Sequence, residues 1–475
     1  MTTILTRRAL IGGATTFGLT GALHAQAVQP GSTPQDHGAK GDGLSDDSPA
    51  LQRWLDHLIG HAKTGYVPSG DYLMRRGVSH RIKGIARFGI IGAGSPMTRF
   101  VIASDNSEGG FEIDGFHARA HQAVFSGFSL VVKGSSAVGL RLRLPEGGAQ
   151  HQRSVTLSDV WARSANKTSD HFLTAFDLTG CWRPRLQDCG WDGPYVGVDD
   201  AEDSARFFCR TGFDLDGCYG LSVEDCYAWG CATGISARQF VGLITGAAPS
   251  GQGTRFTLNN GPVPYSKGAS VTISQSRGYD GSHIVTGTGR DSFEVATPYA
   301  ADSTGVSSLT LGPEGMNFKD NTINGVKTGI WVERLAGREP TCWINGNHIN
   351  YRDAGVILDG VKIIQMDQNN TYNEDMDETF PAAPVDIDLR NASEYILSGH
   401  VFHFDGHPRR IGIRVESDTP GEGDNGLIHH SIFSGRFATA VHLTRGVTGV
   451  RVGPNLFPGK IARRVRDENG GNVIL

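Results

Sequence analysis

At 475 residues the chain is long enough for one large domain or for two or three ordinary ones. Glycine supplies 65 residues and charged residues only 20%, with no long low-complexity tract, which argues against disorder and for a turn-rich, sheet-built protein. A formal net charge of −5 makes nucleic acid a poor partner.

Residues 1–27 read as an export signal. Arg7 and Arg8 precede an apolar run that starts at Ala9, Leu10 and Ile11, and Ala25 and Ala27 flank a cleavage point. The paired arginines resemble a bacterial twin-arginine signal, with an ordinary Sec signal as the alternative. The run is too short and glycine-rich to span a membrane, so the expected location is periplasmic or secreted. Loss of Arg7 and Arg8 takes the net charge to −7.

The next element is "DHGAKGDGLSDDSPALQRWLD", residues 36–56. Ser48 suits an N-cap and Pro49 a first helical turn, while Leu51, Trp54, Leu55, Leu58 and Ile59 fall on one apolar stripe. Asp42, Asp46 and Asp47 then read as turn and capping residues rather than as an acidic site. The Gly-Ala-Lys-Gly-Asp-Gly turn, the acid pair, the helix and the following "GYVPSGDYL" resemble the N-terminal motif of the pectate-lyase-like superfamily. That resemblance implies a right-handed parallel β-helix, an all-β solenoid whose open end the helix caps, and a protein that acts on polysaccharide.

From residue 150 onward short alternating runs recur in two registers, each too short to bury its own apolar face, so neighbours must stack. One register includes "AFDLTG", "GFDLDG", "GIWVER", "GVILDG", "DIDLRN" and "GIRVES". The other ends in a short polar residue at Asp159, Asp188, Asp225, Asn321, Asn347, Asn370, His400, His430 and Asn455. Polar side chains repeated at a tight bend bond from rung to rung and tolerate a left-handed backbone, which resembles the asparagine ladder of that fold. Cys181 and Cys218 are 37 residues apart, as are Cys189 and Cys226, so each pair occupies equivalent places as stacked thiols or as disulfides between rungs. Residues 240–312 break the rhythm with strands at hairpin spacing. The expected organisation is therefore a signal over 1–27, β-helix with its capping helix over 28–239, a small inserted β-domain over 240–312, and β-helix again over 313–475.

Alternation in the first register puts Phe176, Leu178, Phe213, Leu215, Ile330, Val332, Val356, Leu358, Ile413 and Val415 inside. Two outward columns follow. One reads Asp177, Asp214, Ser236, Trp331, Ile357, Asp388, Arg414, His442, and the other Thr179, Asp216, Arg238, Glu333, Asp359, Arg390, Glu416, Thr444. Asp216, Glu333, Asp359 and Asp214 are the candidate catalytic acids, since crowded carboxyls can split their pKa values into an acid and a base. Trp331 offers a face for a sugar ring, while Arg238, Arg390, Asp388 and Glu416 offer polar contacts to substrate. Asp216 and Glu333, two rungs apart at about 9.6 Å, match the spacing of an inverting glycosidase, whereas Glu333 and Asp359 on adjacent rungs are nearer a retaining one. The pattern does not choose between them.

Other polar groups are assigned elsewhere. Asp199, Asp200, Glu202 and Asp203 read as a solvated acidic loop, and His400, His403 and His407 as ladder and packing residues rather than as a metal site. The expected function is an exported glycoside hydrolase with a polysaccharide or oligosaccharide substrate and no cofactor. The alternatives are a polysaccharide lyase, which would bring in Ca2+ and a basic residue, and a non-catalytic spike-like glycan-binding protein. Spike-like relatives imply a homotrimer as one form of assembly. The chain contains "VDD" but no Gly-His-Gly, which weakens any assignment to the polygalacturonase branch.

Overall fold

The computed structural model describes residues 31–475 apart from 83–85, 116–121, 145–152, 195–206, 260–262, 264, 266, 290, 310–313, 335–340, 374–382, 404–405 and 419–424. The export signal and the acidic loop at 199–203 lie outside the described residues.

The α-helix Ser48–Gly60 turns the expected stripe inward, and Leu51, Trp54, Leu55 and Leu58 are fully buried. The helix begins at the residue expected to cap it, so the cap falls one residue earlier. Asp47 is the N-cap, and its carboxylate instead accepts from the backbone N–H of Lys40 at 2.6 Å and of Gly41 at 3.0 Å. Asp46 takes the N–H and hydroxyl of Ser48, and Asp42 closes the next turn through Leu44 and Ser45. All three acids are thus consumed by local backbone geometry.

Behind the helix, short strands stack in parallel into a 32-stranded sheet that winds round one core. Phe213, Ile235, Ile330, Val356, Ile387, Ile413 and Val441 face one another rung by rung and are fully buried. Phe176 stacks on Phe213 with ring centroids 5.0 Å apart. This is the solenoid logic, in which each turn buries its apolar face only against its neighbours.

The glycine that opens so many of these runs has a steric cause. A Cβ at Gly329 would lie 2.4 Å from the carbonyl oxygen of Gly355, and one at Gly355 would lie 2.4 Å from that of Asp386. The chain bends there with successive rungs in close contact, so the column excludes larger residues. Asp386 is the exception. Its carboxylate is fully buried and held by the equally buried Arg410, whose Nε lies 2.8 Å away and whose guanidinium lies over Phe437.

The polar corner uses two adjacent positions rather than one. Asp159, Asp188, Asp225, Asp320, Gln368 and His430 adopt positive φ at the bend. The next residue builds the ladder: Asn347 Oδ1 accepts from Asn321 Nδ2 at 2.8 Å, Asn369 Oδ1 accepts from Asn347 Nδ2 at 2.8 Å, and His400 Nδ1 accepts from the Asn369 N–H at 3.2 Å. Asn369, not Asn370, is the ladder residue, and Asp159, Asp188, Asp225 and His430 belong to the bend. All seven cysteines are free and buried, which overturns the disulfide alternative. Cys181 and Cys218 instead give their thiols to the carbonyls of Leu142 and Leu178.

After Arg238 the chain leaves the solenoid, and six antiparallel strands between Val241 and Leu309 close into a barrel around Phe256, Tyr265, Tyr279 and Phe293. It returns at Met316–Lys319, which pairs with Ser222–Glu224 as the next rung.

Candidate active site on the charged sheet

The expected outward columns exist in register. Asp177, Asp214, Ser236, Trp331, Ile357, Asp388, Arg414 and His442 pair in that order along one sheet. Arg238, Glu333, Asp359, Arg390 and Glu416 pair in order beside them, and Asp216 joins at the head because its carbonyl and that of Arg238 continue the hydrogen-bond ladder. The four candidate acids therefore share one ribbon.

Their surroundings differ. Asp216 Oδ1 accepts from the Ser236 hydroxyl at 2.7 Å and the Arg238 N–H at 2.8 Å, and its Oδ2 accepts from Arg238 Nη2 at 2.9 Å. Three donors, one of them a guanidinium, thus surround the Asp216 side chain. Glu333, one rung beyond Arg238, is half-buried, and its carboxyl accepts no hydrogen bond from any described residue. Burial raises its pKa above the ordinary carboxyl range. Asp359 and Asp216 add to that shift, and Arg238 and Arg390 oppose it. Asp359 is also raised, chiefly by burial, and its one polar contact is Asn391 Nδ2 at 3.4 Å. Asp214 is raised further, by burial and by Asp216 and Asp177, and among the described residues its carboxyl accepts only the N–H of Asp216, at 3.3 Å.

Two of the proposed substrate contacts are otherwise engaged. Asp388 is buried, and its two oxygens are occupied by Arg390 and by both Nε and Nη2 of Arg414, at 2.6 to 2.9 Å. It is a counter-ion that fixes two arginines and does not reach substrate. Trp331 carries the Arg238 guanidinium 4.8 Å from its ring centroid, so that face is covered, and its indole N–H is buried without a partner. Glu416 lies at the rim, 3.3 Å from Arg414. Arg238 and Arg390 remain at the surface, each with about a third of its side chain exposed.

The columns also run further than the expected repeats. Ser79, Glu112, Arg141 and Asp177 pair in order, as do Arg81, Asp114 and Arg143 beside them. Arg141 bridges Glu112 at 3.2 Å and Asp177 at 2.7 Å, and Arg143 reaches Asp177 at 3.0 Å. The signal was present in the sequence. "GFEIDG" at 110–115 is nearly the same string as "GFDLDG" at 212–217, but it precedes the point from which the repeats were counted.

Residues 33–138 match the family described as "Rhamnogalacturonase A/epimerase, pectate lyase-like". Among solved structures, the A-module of the mannuronan C-5 epimerase AlgE6 of Azotobacter vinelandii aligns at 14% identity with a TM-score of 0.58, covering 94% of this chain and 98% of that one. Gene product 12 of bacteriophage phi29 aligns at 12% identity with a TM-score of 0.51, over 90% of this chain and 52% of that one. No curated protein matches the sequence. Among the described residues no helix is long and apolar enough to cross a membrane. The N-terminal segment thus matches a pectate-lyase-like family, and the chain as a whole folds as a parallel β-helix.

Proposed function

We propose that the chain is an exported glycoside hydrolase that cleaves a polysaccharide lying across the charged sheet. The observation that carries this reading is the contrast between Glu333 and Asp216. One carboxyl is half-buried, without hydrogen bonds from the described residues and raised in pKa; the other, two rungs away, accepts hydrogen bonds from Arg238 and Ser236. Glu333 then serves as the general acid that protonates the leaving oxygen, and Asp216 as the base that takes a proton from the attacking water. Two rungs correspond to about 9.6 Å, the upper end of the inverting range once the side chains lean together. Asp359, on the rung beyond Glu333, helps to keep Glu333 protonated.

Elimination is less well supported. It needs a base, and Arg238 is raised in pKa, with Asp216 as the principal raising influence against its burial. Arg390 gives two donors to Asp388. The family description and the mannuronan epimerase among the fold neighbours are consistent with a polysaccharide substrate.

The test is incubation with a panel of neutral and acidic polysaccharides. The hydrolase reading expects new reducing ends without ultraviolet absorbance from an unsaturated uronate. It also expects Glu333→Gln to lower the rate by about 10²-fold or more. An unsaturated product, or full activity in the Gln variant, would overturn it.

A further inference from the structure

The strand that ends at Arg238 begins at Tyr227, round a corner from the charged sheet, and its first outward residues join two further columns. Trp161, Gly190, Tyr227, Thr322 and His348 pair in order along one, and Arg163, Asp192, Trp229 and Asn324 along the other. Trp161 leans across the next rung, where any side chain at Gly190 would collide with its ring. It thereby reaches Tyr227, with ring centroids 5.9 Å apart, and Tyr227 lies 6.4 Å from the nearly parallel ring of Trp229. All three rings are partly exposed. An aromatic row with polar neighbours on a solvent-facing sheet is the make-up of a ligand surface.

Arg163 gives this face its charge. Its guanidinium rests on Trp161, with Cζ 4.9 Å from the ring centroid. Nε is sealed from solvent, but Nη1 and Nη2 are open and make no hydrogen bond or ion pair among the described residues. The neighbouring charges cancel in pairs. Asp192, on the next rung, is bound to Lys167. Asp170, in the loop that carries Lys167, accepts the N–H of Asn166 at 2.9 Å and the hydroxyl of Ser169 at 3.0 Å. Arg99, two rungs before Trp161, holds Asp71. The same guanidinium-on-indole arrangement recurs at Arg238 and Trp331, but there Nη2 is given to Asp216. Arg163 is left with a positive charge and no counter-ion among the described residues.

Hydroxyl partners lie beside the rings. Tyr372 donates its hydroxyl to Asn324 Oδ1 at 3.1 Å, which leaves Asn324 Nδ2 to donate outward. The Tyr227 hydroxyl has no hydrogen bond among the described residues, and neither group is sealed from solvent. A sugar residue offers an apolar ring face together with hydroxyls, which suits an aromatic ring flanked by donors. A carboxylate or sulfate on that residue would take the two open Nη donors of Arg163. Two rungs separate Arg163 from the level of Tyr227, about 9.6 Å, which one sugar residue and its acidic substituent can bridge.

We propose that this face is a second carbohydrate-binding site, one that takes an anionic sugar residue with its ring against Tyr227 and its carboxylate or sulfate ester on Arg163. The site is separate from the sheet that carries Glu333 and does not depend on the hydrolase reading. Because Tyr227 and Arg238 share one strand, a polymer held here stays close to the charged sheet round the corner.

The test is isothermal titration calorimetry of the full chain carrying Glu333→Gln, so that ligands stay intact, with hexamers of galacturonate, of sulfated galactose and of uncharged galactose. At least one anionic hexamer should bind, and the uncharged one should bind at least tenfold more weakly; the tighter of the two anionic hexamers identifies the acid. Adding Arg163→Gln should weaken that anionic binding about tenfold with Tm within a degree or two, because the group removed has no ion pair to lose. Adding Tyr227→Ala instead should weaken it by a similar factor. Unchanged affinity in either variant would overturn the proposal, as would uncharged galactose binding as tightly as the anionic hexamers, or no binding by any of the three. A fall in Tm of several degrees with Arg163→Gln would also overturn it, because Arg163 would then be a packing residue on Trp161. Continued cleavage by Glu333→Gln would sink the cleavage assignment and leave the comparison at Arg163 standing.

Discussion

Two stretches of one sheet carry the same residue types and treat them in opposite ways. Around Asp177 and around Asp388 each carboxylate is buried between two guanidiniums, Arg141 with Arg143 and Arg390 with Arg414. Around Asp214, Glu333 and Asp359 the carboxyls crowd one another with no ion pair of their own among the described residues, because Arg238 is spent on Asp216. Parity along the strands determines which residues point outward in both stretches. Only the local balance of charge distinguishes a cross-brace from a reactive group.

The largest expected effect tests that division at the uncompensated end. Glu333→Gln keeps shape and removes the proton, so kcat should fall by about 10²- to 10⁴-fold while Tm stays within a degree or two. The compensated end should behave in the reverse sense. Asp388→Ala leaves Arg390 and Arg414 facing each other without their counter-ion, and denaturant titration should show a loss of about 3–5 kcal/mol. Asp359→Asn, on the adjacent rung, should cost less than about 1 kcal/mol, since its only hydrogen bond is a long one. Similar stability losses at 388 and 359 would erase the distinction between the two stretches.

The pH profile of kcat sharpens the same comparison. Glu333 and Asp359 are both raised above the ordinary carboxyl range, so the protonated form that serves as acid persists to higher pH than a solvated glutamate would. The rate should fall as pH rises through that raised value. Asp359→Asn removes one of the groups that raise Glu333, and the falling limb should then move to lower pH. An unmoved limb would mean that the two carboxyls do not communicate.

Much of this was legible in the sequence, for a definite reason. Period-two alternation, read over residues 176–178, 213–215 and 330–332, assigns core and surface without any knowledge of the turns, so the columns through Asp214 and Asp216 are found in register. The partner of an outward charge is harder to read. Asp388 and Asp216 look alike in the string, and only the rotamers of Arg390, Arg414 and Arg238 decide that one is closed off and the other lies at the working surface. The corner was misread by one residue at Asn370 for a related reason. Two adjacent polar positions, one at positive φ and one in the ladder, draw on the same residue types, so "DQNN" at 367–370 offers more candidates than there are places.

The smallest expected effect concerns that corner, where His400 stands in a row of amides. Asn321, Asn347 and Asn369 each donate Nδ2 to a carbonyl of a neighbouring rung, and none of them titrates. His400 accepts through Nδ1, while its buried Nε2 finds no partner. Burial lowers its pKa from the ordinary 6.5 to about 4, so the neutral ring contributes stability that is complete above pH 6.5 and lost as pH falls toward 4. At about 1.36 kcal/mol per unit, this loss amounts to no more than about 3.5 kcal/mol. His400→Asn should therefore change Tm little at pH 7, where both side chains are neutral, and should flatten the acid limb of the stability curve between pH 6.5 and 4. If wild type and variant lost stability in parallel over that range, the acid sensitivity would not belong to the ladder histidine.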